Sequence, residues 1–189
     1  MKDMHWQRTF LSLLLSTDEQ QHVCQLIKTA RLSCTDKAWQ WHTAQQLHLT
    51  LVFMGPLTLQ QQQTLSPALA SELTQHPAFQ YSIRGLRCWR QRQQTLLIAD
   101  IAACPALTHL QQTLRQLCQN HHTVLKDEHT FIPHITLARR PYCKQVIDYK
   151  KITNKNLRAE TVYLMHSYRH QYHRLEAWQL GKPSPPCTA

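Results

Sequence analysis

Leu47-His48-Leu49-Thr50-Leu51-Val52-Phe53-Met54-Gly55 and Phe131-Ile132-Pro133-His134-Ile135-Thr136-Leu137-Ala138-Arg139 carry one pattern twice, about half a chain length apart. In both, His-x-Thr-x (positions 48–51 and 134–137) lies in an apolar run that reads as a strand and follows a helical stretch. Side chains alternate along a strand, so His and Thr share one face about 7 Å apart. Leu49 and Ile135 then turn the other way, toward a core. Two such strands facing one cleft would aim two imidazoles and two hydroxyls at a common point. The repeat predicts two similar lobes related by a pseudo-two-fold axis.

Around the two runs the chain alternates strands and helices. Arg8 to Ser16 reads as a buried first strand. Ser16 and Glu19 have capping-box spacing and open a helix to about Leu32, with Val23, Leu26, Ile27 and Ala30 on one face. Leu47 to Met54 is a strand closed by Gly55-Pro56, and Thr58 to about Gln75 a helix that Pro67 breaks or kinks. Tyr81 to Trp89 and Thr95 to Ile101 form strands around the polar loop 90–93. Pro105 starts a helix to Asn120 whose Leu107, Leu110, Leu114, Leu117 and Cys118 make an apolar stripe. Phe131 to Ala138 is the next strand, and Leu157 to Tyr168 with Tyr172 to Leu180 a closing hairpin. The expected class is mixed α+β with antiparallel pairing, a single bilobal domain over 1–189 in which 182–189 is a frayed tail.

Composition narrows the functions. With 42% apolar residues in 189, the chain can bury a true core. Lys and Arg outnumber Asp and Glu by 21 to 11, which suits a polyanionic partner, although a basic surface also serves solubility. Three glycines and no GxGxxG or GxxxxGK[ST] string leave no phosphate loop. Seven scattered cysteines without a CxxC pair read as reduced thiols. The only N-terminal apolar run, Phe10 to Leu15, is too short for a signal core, and nothing approaches a membrane span. The expectation is a soluble cytoplasmic protein that avoids membranes.

Two imidazoles and two hydroxyls on one cleft are the inventory for phosphodiester hydrolysis. A neutral imidazole takes a proton from the attacking oxygen while an imidazolium opposite protonates the leaving oxygen, and each positioned group contributes roughly 10²–10⁴ in rate. Threonine hydroxyls donate to non-bridging phosphate oxygens. The scheme calls for no cofactor and no metal. His121, His122 and His129, and His166, His170 and His173, gather locally, but no carboxylate stands at a ligand interval and no HExxH or finger spacing occurs, so they read as loop histidines. Trp39 and Trp41 read as packing residues, with base stacking at the cleft mouth as the alternative. Lys144, Lys150, Lys151, Lys155 and Arg158 form a basic run that either meets an RNA backbone or is a solvated loop.

The two runs resemble the signature strands of the two-histidine (2H) phosphoesterases, and within them the bacterial RNA 2′,3′-cyclic phosphodiesterases, also called 2′-5′ RNA ligases (LigT-like). The likeness extends to the opening strand at 8–16, the middle hairpin at 86–100 and the closing strands at 162–180 with their Tyr-Arg turn. It implies two lobes, each an antiparallel sheet with outer helices, and an active-site cleft between them. It also implies opening of a terminal 2′,3′-cyclic phosphate of RNA to a 2′-phosphomonoester, with reversible 2′-5′ ligation as a further activity. Carried over, His48 is the proton donor to the departing 3′ oxygen, His134 the acceptor that activates water, and Thr50 and Thr136 hold the phosphate. Arg139 matches a basic position after the second motif. Strict alternation turns it away from His134, so it reaches the phosphate only if the strand ends or bulges there. The expected partners are RNA ends or small cyclic nucleotides, met by a monomer. The rival class is a non-catalytic RNA-binding module on the same fold. Intact His and Thr in both motifs favour the enzyme.

Overall fold

The computed structural model describes residues 5–33, 37–91, 93–121, 123, 130–141, 148–149, 155–169 and 171–181. The chain runs β1 (His5–Leu14), α1 (Thr17–Ser33), β2 (Gln40–Trp41), a 3-10 turn (Ala44–Gln46), β3 (His48–Thr58), α2 (Leu59–Leu73), β4 (Phe79–Arg90), β5 (Gln94–Ile101), α3 (Pro105–Asn120), β6 (His134–Pro141), β7 (Asp148–Tyr149), β8 (Lys155–Ala159), β9 (Thr161–Tyr168) and β10 (Gln171–Gln179). The strands form one sheet in the order β10-β9-β1-β3-β6-β5-β4-β7, with β2 added on β6 and β8 on β4. Read outward from the middle, β3-β1-β9 is matched by β6-β5-β4, and all these neighbours are antiparallel. The halves are the two expected pseudo-symmetric lobes.

The ladder that joins them, β3 with β6, is one residue pair among the described residues, Leu49 with Ile135, both 0% exposed. The motif strands therefore lie side by side in one sheet. An antiparallel register centred on that pair sets His48 opposite Thr136 and Thr50 opposite His134. Below them, Leu49, Leu51, Ile135 and Leu137 join a single buried cluster with α1 (Val23, Ile27), α2 (Leu65, Leu69) and α3 (Leu107, Leu110, Leu114). Burying each such side chain stabilises the fold by about 1.5–3 kcal/mol. α3 lies against β3, where the Cys118 thiol approaches Met54 Sδ at 3.5 Å.

Both motif strands bulge at the same place. On β3, Thr50 pairs with Ser12 and Val52 with Leu11, which leaves Leu51 as an extra residue. On β6, Thr136 pairs with Ile98 and Ala138 with Leu97, which leaves Leu137 extra. The shared burial pattern is half-buried, buried, half-buried, buried, buried, half-buried from each histidine onward. Two consecutive residues turn to the core, and the next one returns to the histidine face. Phe53 and Arg139 are those returning residues.

Local signals held well where side chains cap the backbone. Ser16 and Glu19 form the reciprocal box (Ser16 N–H to Glu19 Oε2, 2.8 Å; Glu19 N–H to Ser16 Oγ, 3.4 Å), and Thr58 with Gln61 repeats it for α2. α3 spans the expected Pro105–Asn120. Several expectations differ from the structure. Gly55-Pro56 does not close the third strand, because Gly55 takes φ 83° and β3 continues along β1 to Thr58. Among the described residues, the only ladder on β3 past Leu49 is with β1, so Pro56 sits on a one-sided strand where its missing N–H is tolerated. Of the two expectations for Pro67, a break or a kink, the break does not occur: α2 runs through it from Leu59 to Leu73. The segment expected as one strand from Leu157 to Tyr168 is two: β8 pairs with β4 and β9 with β1 and β10, so the chain crosses between halves at Glu160. The sixth strand starts at His134, three residues later than expected. The tail 182–189 lies outside the described residues, and no helix among those described is long and apolar enough to cross a membrane.

Candidate active site

His48 and His134 are held alike. His48 Nδ1 lies 2.7 Å from the Gln46 carbonyl, and His134 Nδ1 lies 2.8 Å from the Ile132 carbonyl, each two residues upstream. A carbonyl only accepts, so each Nδ1 carries the proton that it donates, and in the neutral ring the lone pair is on Nε2. Each ring also meets an aromatic edge: Tyr172 stands perpendicular to His48 at 4.8 Å, and Trp89 to His134 at 5.0 Å. Phe10 packs on His48 from β1 at 5.1 Å. Two backbone acceptors and two edge contacts thus fix the imidazoles on one face of the sheet.

Burial decides the charge of His48. Its pKa falls from 6.5 to about 4, mainly by desolvation, with the charges of His134 and Arg139 adding to the fall and the Gln46 hydrogen bond opposing it. A second histidine behaves likewise. His42, 7% exposed, falls to about 4 through burial first, then through Arg139 and His48. Arg139 Nη2 donates to His42 Nε2 at 2.9 Å. His42 is therefore a neutral acceptor that anchors the Arg139 guanidinium beside His48.

The bulge at Leu137 meets the condition on which Arg139 depended. With one extra residue in β6, Arg139 returns to the histidine face and lines a cleft of about 310 Å³ with Arg8, His48, Thr50, Arg169 and Tyr172. Thr50 and Phe53 also border a second cleft of about 760 Å³ that contains His134, Trp89, Gln111, Arg115 and Phe131. The two clefts share Thr50 and Phe53 as lining residues, with His48 in one and His134 in the other. Thr136 is half-buried on the same strand face as His134. On β5, opposite His134, Asp100 holds Arg84 (Nε 2.5 Å) and Arg87 (Nε 3.2 Å).

Other expected candidates fall elsewhere. Trp39 and Trp41 pack on each other at 6.2 Å, under Arg140 and Arg31, and line neither cleft. Arg158 pairs with Glu160 at 2.8 Å, and Lys155 is half-buried on β8. Lys144, Lys150 and Lys151 lie outside the described residues, as do His122, His129 and His170. His166 and His173 oppose each other across β9 and β10 with rings 6.3 Å apart. Among the described residues no three His, Cys, Asp or Glu gather as a metal site. Sequence reasoning missed His42, Tyr172 and Trp89 as site residues. His42 stands six residues before His48 with no motif around it, and only the antiparallel pairing of β2 with β6 brings it to Arg139.

Paired histidines on adjacent bulged strands, with hydroxyls and an arginine on the same face, are the arrangement of a two-histidine phosphoesterase fold. The chain belongs to the 2′-5′ RNA ligase superfamily, whose family model matches residues 19–169. It is similar to an RNA 2′,3′-cyclic phosphodiesterase of Thermotoga maritima, 22% identical over 136 residues, which cover 71% of each chain. Solved structures share the fold. A Thermus thermophilus protein aligns with TM-score 0.77 at 22% identity, covering 93% of this chain and 98% of its own. Escherichia coli LigT in complex with 3′-AMP aligns with TM-score 0.77 at 24% identity and the same coverage.

Proposed function

We propose that this chain hydrolyses 2′,3′-cyclic phosphodiesters at RNA ends to 2′-phosphomonoesters by acid–base catalysis between His48 and His134. One observation carries the reading. Both imidazoles are locked by Nδ1 on a backbone carbonyl, so both present Nε2 for proton transfer on the face that Thr50, Thr136 and Arg139 share. The relative named as an RNA 2′,3′-cyclic phosphodiesterase and the LigT structure with 3′-AMP support the substrate class.

In this scheme His134 Nε2 takes a proton from water as the water oxygen bonds to phosphorus. The bond from phosphorus to O3′ breaks, and His48 gives O3′ its proton from Nε2. Thr50, Thr136 and Arg139 hold the non-bridging oxygens. A donor must be protonated, whereas His48 of the free protein titrates at about 4. The substrate supplies the difference. A unit negative charge about 4 Å away at an effective dielectric near 20 favours the charged imidazole by about 4 kcal/mol, so the bound phosphate raises the pKa of His48. Arg139 offsets part of that field and keeps the anion in place.

The test is turnover of an oligoribonucleotide ending in a 2′,3′-cyclic phosphate, with EDTA present, and product analysis by phosphorus NMR. A 2′-phosphate product is expected, lost in His48→Ala and His134→Ala. A folded wild type that leaves the cyclic phosphate intact would overturn the reading.

A further inference from the structure

The closing hairpin carries a second pair of histidines, and they stand on strands, not in loops. The register of β9 and β10 sets Ser167 opposite Tyr172 and, in the next row, His166 opposite His173. Side chains of successive rows point to opposite faces. Ser167 and Tyr172 line the His48 cleft, so His166 and His173 project from the back of the same two strands. His166 is half-buried and His173 exposed, with the rings 6.3 Å apart and tilted by 34°. Tyr168 stacks beside His166 at 6.3 Å and 24°. Among the described residues neither imidazole has a hydrogen-bond or ion-pair partner. The neighbouring polar groups are committed elsewhere. Thr9, the third member of the row, donates its hydroxyl to the Gly55 carbonyl at 2.8 Å, and Glu176 accepts from Gln62 and Ser66 of α2.

Two imidazoles directly opposite each other repel once both are protonated. Burial first, and then the charge of His173, hold the His166 pKa below 6.5, so at pH 7 this ring is neutral and keeps a lone pair. Neutral imidazoles suit borderline divalent ions such as zinc, nickel and copper better than hard cations do. The spacing suits them as well. A zinc–nitrogen bond of about 2.0–2.1 Å puts the metal about 3.2 Å from each ring centroid. The two centroids then stand about 6.4 Å apart across a linear site and about 5.2 Å apart at the tetrahedral angle. The observed 6.3 Å lies at the upper end of that range, and turning two surface side chains inward covers the rest.

We propose that His166 and His173 form a two-histidine site for a divalent transition ion, zinc in the first place, which clamps β9 to β10 behind Tyr172. Water completes the coordination. The site lies on the opposite face of the sheet from His48 and His134 and takes no part in their proton transfers, so it stands independently of the phosphodiesterase reading.

The test is calorimetric titration of the full, EDTA-stripped chain with zinc chloride, beside nitrogen-15 NMR of the histidine side chains. In the wild type one zinc ion should bind per chain, and the His166 and His173 ring signals should shift together. His166→Gln and His173→Gln should each weaken that binding about 10-fold or more, since losing a ligand costs at least as much as losing a group that orients one. Zinc should also raise the melting temperature of the wild type and not of these variants. Both positions are accessible, and circular dichroism verifies that the variants fold. His76→Gln removes the histidine that meets Glu72 at 3.3 Å on another part of the surface, and should leave the site intact. No zinc binding by the wild type, or equal affinity in the wild type and both hairpin variants, would overturn the proposal. So would loss of the titration in His76→Gln alone.

Discussion

Acid should destabilise this protein through His42 and His48, and the amount can be worked out. Both are held near pKa 4 by burial, against 6.5 when exposed to water in the unfolded chain. Above pH 6.5 neither state binds the proton, and these groups leave stability unchanged. As pH falls below 6.5 the unfolded state protonates first, so stability is lost progressively until the folded pKa near 4 is reached. At 1.36 kcal/mol per pH unit, each histidine costs about 2.5 kcal/mol by pH 4.5. That is a large part of the roughly 5–15 kcal/mol available to a domain. His42→Gln separates its share from all other titrations, because a glutamine oxygen still accepts from Arg139 and carries no charge. Urea unfolding at pH 7.5 and 4.5 should show the pH-dependent loss smaller by about 2.5 kcal/mol in the variant, a midpoint difference of order 1 M. The same pH-dependent loss in variant and wild type would refute the reasoning, because His42 would then titrate normally in the fold.

Three further outcomes are expected. His48→Ala and His134→Ala should each lose orders of magnitude in kcat, and the double variant should be little worse than the poorer single, since the pair acts as a unit; additive losses in steady-state rates would contradict this. Thr50→Val should raise KM more than it lowers stability, because it removes one phosphate donor from a half-buried wall while keeping the side-chain shape; inhibition by inorganic phosphate reads the lost contact. His42→Leu should resemble a mild Arg139→Ala, with weaker substrate binding restored in His42→Gln. Failure of glutamine to restore KM would mean that His42 does not position the guanidinium.

The motif strands, the caps and the apolar stripes were legible because each is written within about ten residues. Ser16 with Glu19 makes two hydrogen bonds between the cap and the first turn, and such a signal needs no tertiary partner. His48, Thr50, His134 and Thr136 were legible because a strand's alternation fixes their common face. The bulges were not, although their trace is present as Leu51-Val52 and Leu137-Ala138, pairs that an alternating strand does not ask for. Glu160 illustrates the other limit. An apolar alternation runs on either side of it, and nothing local says that β8 and β9 belong to opposite halves. His42 and Tyr172 reach the site from β2 and β10, elements whose pairing partners are far away in sequence.

The pseudo-symmetry also shows why the two clefts differ. Duplicate strands with duplicate bulges bring one side chain back to the histidine face three residues after each threonine. In the first half that residue is Phe53, and in the second it is Arg139. The neighbouring strands diverge in the same manner, since the residue beside His48 is Leu14 and the residue beside His134 is Asp100, which spends its charge on Arg84 and Arg87. The backbone is thus nearly two-fold while the chemistry is not. A symmetric pair of imidazoles alone would bind a phosphodiester in either sense. Arg139 beside His48, with Phe53 bordering both clefts, breaks that degeneracy: the His48 cleft carries Arg8, Arg139 and Arg169, and the His134 cleft Trp89 and Phe131. Since both rings are held alike by Nδ1 on a backbone carbonyl, any division of labour between His48 and His134 has to come from these unlike surroundings and not from how the rings are held.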